Sequence, residues 1–84
     1  MLIELSEQDV NMLQDNRLKT IASLLKKERL RKGYSQSYMA SKLDMNQNTY
    51  SRIESGTKRP STGEMTAIAE ILEMELEGLI DLFQ

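Results

Sequence analysis

The chain has few of the residue types that catalyse reactions or bind metal ions. The chain of 84 residues has no His and no Cys, which excludes Ser–His and Cys–His nucleophile pairs, the usual zinc sites and disulfide bonds. One acidic constellation remains, because Glu70, Glu73 and Glu77 recur at +3 and +4 and would share a helix face. Carboxylates hold a divalent metal or transfer protons only when they converge and are buried. We favour a solvated outer face, and therefore expect no enzymatic activity, no metal and no cofactor.

Charge is distributed unevenly along the chain. The 11 basic and 13 acidic residues leave a net charge of −2, but all 11 basic residues lie within residues 17–59, with only three acidic ones. Residues 1–16 and 60–84 carry acidic side chains and no basic ones. A basic central segment can attract a polyanion such as nucleic acid, whatever the net charge of the whole chain. The alternative is a solvated face that happens to be rich in Lys.

Length and hydropathy favour one small cytoplasmic domain. No apolar run approaches the ~20 residues that a membrane-spanning helix needs. The N-terminus lacks the charged region and apolar stretch of a secretory signal peptide. We expect no membrane association and no small-molecule substrate.

Apolar spacing and helix-capping residues predict an all-α domain. The chain has four Gly and one Pro, which is little turn punctuation for a sheet-rich fold. Five helices are expected, preceded by a short one at the front. These segments lie over about residues 7–15, 18–32, 36–43, 47–55, 61–72 and 75–83.

The ends of these helices carry recognisable signals. Ser35 and Asn46 are expected N-caps, and Ser61 with Glu64 three residues later forms a capping box. Gly33 and Gly56 are placed to leave a helix in the left-handed conformation. Only about three residues would then join the helices capped by Ser35 and Asn46, which is typical of a helix-turn-helix.

The stretch KKERLRKGYSQSYMASKLDMNQNTYSRIESGTKRPS resembles the Cro/C1-type (XRE family) helix-turn-helix DNA-binding domain. The resemblance covers about residues 18–83. It implies a five-helix, lambda-repressor-like domain over residues 17–84, with residues 1–16 as an N-terminal extension that packs or dimerises. The residues that carry the resemblance are Arg29, Gly33, Tyr34, Ser35, Gln36, Ala40, Ser51, Arg52, Ile53, Glu54, Gly56, Pro60 and Ser61.

The helix over about 47–55 would be the recognition helix of such a domain. Its N-terminal residues face base edges in the major groove, where Gln or Asn pairs with adenine and Arg with guanine. The alternative is ordinary polar surface. The side chains that would contact bases are Gln47, Asn48, Thr49, Ser51 and Arg52.

Phosphate contacts are expected from a second set of residues. The resemblance implies that Gln36 contacts the DNA backbone and helps to orient the start of the recognition helix. Helix N-termini attract anions, and the loop after Gly56 is where the family contacts phosphate. The residues expected to contact phosphate are Ser35, Gln36, Lys42, Lys58 and Arg59.

Three further expectations follow from comparison with the family pattern. The family commonly joins the positions of Arg29 and Glu54 by a structural ion pair, which the resemblance implies here. Asp44 stands where the family most often has Gly in the turn, and Asp tolerates the left-handed region. Glu28 and Glu73 also depart from the pattern, at positions that are usually aliphatic and Gly respectively.

The resemblance thus implies a sequence-specific regulator of double-stranded DNA, a repressor in our interpretation. A homodimer is expected because one helix reads few base pairs and dimers place two helices about one DNA turn (~34 Å) apart. Its surface could be the C-terminal helix or the apolar N-terminal segment. The alternative function is an antitoxin-like or coactivator-like module whose main partner is a protein.

Overall fold

The computed structural model describes the backbone of residues 7–74 and the side chains of residues 17–74. Within this part of the chain the structure is all-α, with helices α1 (Glu7–Arg31), α2 (Gln36–Lys42), α3 (Gln47–Glu54) and α4 (Thr62–Leu72). None of these helices combines the length and apolar character that crossing a membrane requires. The prediction of a last helix over 75–83 falls outside the described residues.

The front of the domain differs from the prediction of two separate helices. Residues 7–15 and the segment from Leu18 onward belong to one unbroken helix of 25 residues, α1. The first Gly of the chain is Gly33 and its one Pro is Pro60, so nothing interrupts the helical hydrogen-bond ladder near residue 16. The two predicted segments, over about residues 7–15 and 18–32, therefore belong to one element.

The three short helices begin at the predicted side-chain caps. Ser35 Oγ accepts from the backbone N–H of Tyr38 at 2.9 Å, and Asn46 Oδ1 accepts from that of Thr49 at 2.8 Å. At α4, Ser61 Oγ and the Glu64 carboxylate each accept from the other residue's backbone N–H, which completes the capping box. Helices of this length are marginal in isolation. Each cap stabilises its helix by ~1 kcal/mol.

Left-handed residues end the helices and turn the chain. Gly33 and Gly56 have φ of 75° and 79°, as predicted. Asp44 and Glu73, which stand where the resembling family favours Gly, have φ of 54° and 55°. A side chain in this region costs roughly 1–2 kcal/mol. At Glu73 the carboxylate also contacts Lys32 Nζ at 3.3 Å, joining the ends of α1 and α4.

The four helices enclose one apolar core. Small Ala40, only 3% exposed, lies in α2, and its carbonyl accepts from the backbone N–H of Met45 at 3.0 Å, which folds the turn against α2. Met65, Ile68 and Leu72 form the buried side of α4. The largest fully buried side chains come from every helix and are Leu25, Met39, Tyr50, Ile53, Met65, Ile68 and Leu72.

Gly56 and Gly33 offer a matched test of backbone clearance. A Cβ at Gly56 would lie 3.2 Å from Lys19 Cα in α1, whereas a Cβ at Gly33 would meet nothing within 4 Å. Both Gly→Ala changes lose the left-handed preference, at a cost of about 1 kcal/mol. We expect Gly56→Ala to lower the free energy of unfolding by about 1 kcal/mol more than Gly33→Ala, since α1 must also move. Urea denaturation measures both, and equal losses would contradict the close approach.

Candidate nucleic-acid interface

Helices α2 and α3 form the helix-turn-helix unit. Residues 43–46 join them, and the left-handed Asp44 reverses the chain within this segment. The Asp44 backbone N–H donates to the Ser41 carbonyl at 3.2 Å, and Asn46 then caps α3. The turn is therefore defined by backbone hydrogen bonds and by the Asn46 side chain that caps α3.

Helix α3 has one buried side and one exposed side. Tyr50, Ile53 and Glu54 are buried against the rest of the domain. Gln47, Asn48 and Arg52 are exposed, while Thr49 and Ser51 are half-buried. The exposed amides of Gln47 and Asn48 can donate hydrogen bonds to a ligand and accept them from it, and the Arg52 guanidinium can donate them. Asn46 differs from its neighbours because its side-chain oxygen is committed to the cap.

The residues predicted to contact phosphate occupy three different settings. Ser35 is exposed at the start of α2, where its oxygen accepts the Tyr38 backbone N–H. Lys42 is exposed, with its Nζ 5.6 Å from the centre of the Tyr38 ring, within cation–π range. Tyr38 itself stacks on Tyr34, with ring centres 4.5 Å apart.

The remaining residues predicted to contact phosphate are Lys58 and Arg59, in the loop after α3, and Gln36, at the start of α2. Lys58 Nζ lies 3.9 Å from the Glu64 carboxylate, and Arg59 is exposed. Gln36 is half-buried, and its side-chain amide donates to Glu54 at 3.3 Å. Gln36 is thus in contact with the interior of the domain, which the spacing of residues gave no means of predicting.

The loop that carries Lys58 and Arg59 is ordered by one carbonyl. The carbonyl oxygen of Arg52 accepts from the backbone N–H groups of Thr57 at 3.0 Å and Lys58 at 3.2 Å. The hydroxyls of Ser55 and Thr57 donate to the same oxygen at 3.1 and 3.2 Å. Ser55 and Thr57 were not among the predicted site residues. Their signal is a pair of hydroxyl residues on either side of Gly56.

The Arg29–Glu54 ion pair lies behind this surface. Arg29 Nε and Nη2 contact the two Glu54 carboxylate oxygens at 2.8 and 2.7 Å, and Nη1 donates to the Tyr34 carbonyl at 2.7 Å. The side chains are only 9% and 1% exposed. The two-pronged geometry is the one in which a guanidinium binds a carboxylate most strongly. The pair connects α1 to the end of α3 and to the segment that leads into α2.

Ionisation in this cluster follows from its contacts. Burial alone would raise the pKa of the Glu54 carboxyl, but the hydrogen bonds from Arg29 and Gln36, with the nearby Tyr50 hydroxyl, hold that pKa below its ordinary value. The bond to Glu54 outweighs burial at Arg29 and raises the pKa of its guanidinium. Both groups therefore stay charged at neutral pH.

Tyr50 brings a buried hydroxyl to the same cluster. Burial and the neighbouring Glu54 carboxylate raise the pKa of the Tyr50 phenol well above its ordinary value, so it remains neutral. Among the described residues, its oxygen is the one buried side-chain N or O atom without a hydrogen-bond partner. It lies near Glu54, outside hydrogen-bonding geometry.

Within the described part of the chain, no three acidic side chains converge as a metal site requires. Glu70 and Glu73, two members of the acidic set noted in the sequence, are exposed on and just after α4. Glu77, the third, lies outside the described residues. Arg29 and Glu54, by contrast, form a buried ion pair.

Comparison with known proteins bears directly on the α2–α3 unit. Residues 25–79, more than half of the chain, match the profile of a family described as helix-turn-helix. The match includes the end of α1, both helices of the unit, the loop after α3 and all of α4. No curated protein matches the chain.

Removing Arg29 should strongly destabilise the domain. Arg29→Ala leaves the buried Glu54 carboxylate without its main partner, a loss of about 3–5 kcal/mol in the free energy of unfolding. For a domain of this size the melting temperature should fall by about 10 °C or more. Thermal unfolding followed by circular dichroism measures the change.

Arg31→Ala is the matched control for that experiment. Arg31 also pairs with a glutamate, Glu28, at 2.7 Å, but its side chain is 66% exposed. Surface pairs of this kind are screened by solvent. The melting temperature of Arg31→Ala should therefore stay close to that of the unmodified chain. Similar losses for the two variants would contradict the importance of the buried pair.

Acid should weaken the domain through Glu54. Because the folded-state pKa of Glu54 lies below its ordinary value of 4.5, the unfolded chain takes up the proton first as pH falls. The stabilisation is complete above about pH 5.5 and is lost as pH falls through the folded-state pKa. Glu54→Gln should be less stable at pH 7 but lose less stability between about pH 5.5 and pH 3. Urea denaturation across that range tests this, and parallel curves would rule out the contribution.

Proposed function

The chain belongs to the Cro/C1-type (XRE) family of helix-turn-helix proteins, a family of DNA-binding transcription regulators, and we propose that it reads a specific sequence in double-stranded DNA with α3. The observation that carries this proposal is the division of α3 into two sides. Tyr50, Ile53 and Glu54 anchor the helix in the domain. The other side of α3 would contact base edges in the major groove. The residues proposed to make these contacts are Gln47, Asn48, Thr49, Ser51 and Arg52.

Phosphates on either side of the groove provide the remaining contacts in this proposal. The proposed phosphate contacts are Ser35, just before α2, Gln36 and Lys42 in α2, and Lys58 and Arg59 in the loop after α3. These elements border α3 in the chain, so a duplex that lies along α3 would meet them at its edges. Basic residues are confined to residues 17–59, which supports attraction of the DNA backbone to this part of the molecule.

The proposed regulator is a homodimeric repressor that acts in the cytoplasm. One recognition helix reads few base pairs, and a two-fold pair of domains places two helices about one DNA turn apart. We assign DNA binding to residues 17–84 and packing or dimerisation to residues 1–16. Repression follows from occupancy of the DNA site by the dimer. The alternative is an antitoxin-like or coactivator-like module whose main partner is a protein.

Two classes of variant should separate base contacts from phosphate contacts. Asn48→Ala should reduce the preference for a selected duplex over random DNA by about 1–3 kcal/mol. Lys58→Ala should weaken binding to all duplexes about equally and reduce the slope of log K against log salt by ~0.9. Fluorescence anisotropy over a salt series measures both quantities, using a duplex selected by the protein from a random pool.

Lys27→Ala is the matched control for charge. Lys27 is exposed on α1 and is not among the proposed contacts, so removing it should change the salt slope less than removing Lys58. Identical behaviour of the Asn48 and Lys58 variants would contradict the division into base and phosphate contacts. A salt dependence that is flat for the unmodified protein would favour a protein partner instead of DNA.

A further inference from the structure

Lys58, one of the residues proposed to contact phosphate, faces a carboxylate of the domain itself. Its Nζ lies 3.9 Å from Glu64 Oε1. The two side chains are 34% and 32% exposed, so each is partly shielded from water. The backbone N–H of Lys58 donates to the Arg52 carbonyl at 3.2 Å, which fixes where the Lys58 side chain begins.

The carboxylate of Glu64 is held in place by the start of α4. The same oxygen, Oε1, accepts from the backbone N–H of Ser61 at 2.8 Å. This hydrogen bond outweighs burial and, with the charge of Lys58, holds the pKa of the Glu64 carboxyl below its ordinary value. Glu64 is therefore a negative charge at neutral pH, and moving it away from Lys58 would break the capping box.

A DNA phosphate that binds Lys58 must replace this carboxylate or lie beside it. Phosphate and carboxylate oxygens both accept charge-assisted hydrogen bonds from an ammonium group, at ~2.8 Å. With Nζ 3.9 Å from Glu64 Oε1, a phosphate oxygen bound to Lys58 would lie at most about 7 Å from Glu64. That separation is shorter than the Debye length of about 8 Å at physiological salt, so the two negative charges repel each other.

We propose that Glu64 is an internal competitor of DNA phosphate for Lys58, which lowers the affinity of the domain for every duplex. The inference rests on the proposed function, in which Lys58 contacts phosphate. Phosphate contacts carry no sequence information, so the preference for one duplex over another should be unchanged. Binding to random DNA consists almost entirely of such contacts. Glu64 would therefore limit how tightly the protein is held by DNA that lacks its site.

Glu64→Gln tests the proposal because Gln removes the charge, while its side-chain oxygen can still accept from Ser61 and keep the capping box. The probe is a random-sequence duplex, with binding followed by fluorescence anisotropy over a salt series. We expect affinity to rise about two- to fivefold at low salt, the range for one exposed ion pair. The slope of log K against log salt should become slightly steeper. A gain in binding cannot result from a loss of folding.

Two further variants separate this contact from a change in total charge. Glu70→Gln removes the same charge from an exposed position of α4 and should raise affinity less. In the double variant, which combines Lys58→Ala with Glu64→Gln, affinity should be close to that of Lys58→Ala alone. The preference of Glu64→Gln for a duplex selected by the unmodified protein over random duplex should match that of the unmodified protein.

Four results would overturn the proposal. They are an unchanged affinity in Glu64→Gln, an equal gain in Glu70→Gln, an equal gain from Glu64→Gln when Lys58 is absent, and a changed preference between the two duplexes. If the unmodified protein binds duplexes without dependence on salt, the proposed phosphate contacts fail and this inference fails with them. That failure is visible before any variant is compared.

Discussion

The buried ion pair between Arg29 and Glu54 is the interaction on which the rest of the domain depends. Three helices too short to be stable alone must meet at defined angles, and an apolar core of methyl and methylene groups is tolerant of small rotations. A guanidinium bound to a carboxylate by two parallel hydrogen bonds is directional. The pair therefore contributes orientation, and the apolar core around Leu25, Ile53 and Leu72 contributes most of the free energy of folding.

Local features of the fold could be predicted because each depends on neighbouring residues in the chain. The caps at Ser35, Asn46 and Ser61 and the left-handed glycines at 33 and 56 are of this kind. The division of the front of the chain into two helices was wrong because a new run of apolar spacing does not by itself end a helix. Ending a helix takes a residue that breaks the ladder.

Contacts between distant residues were harder to predict. The juxtaposition of Arg29 and Glu54 came from the family resemblance, since 25 residues separate them in the chain. The resemblance implied that Gln36 orients the start of the recognition helix, but its hydrogen bond to Glu54, at the end of α3, was not predicted. Any polar residue at the start of α2 satisfies the local pattern. The same holds for the Arg52 carbonyl that orders the following loop. The base and phosphate contacts stay predictions, since they are contacts with DNA and binding experiments are needed to test them.

The unequal surroundings of Gly33 and Gly56 have a consequence for natural variation. Asn and Asp tolerate the left-handed region better than other residues with side chains, and the open space at Gly33 would admit them. At Gly56 the backbone of Lys19 excludes even a methyl group without movement of α1. A side chain at position 33 therefore meets only the cost of its left-handed backbone, whereas one at position 56 must also displace α1. The difference between the two positions therefore reflects how closely α1 approaches the loop after α3.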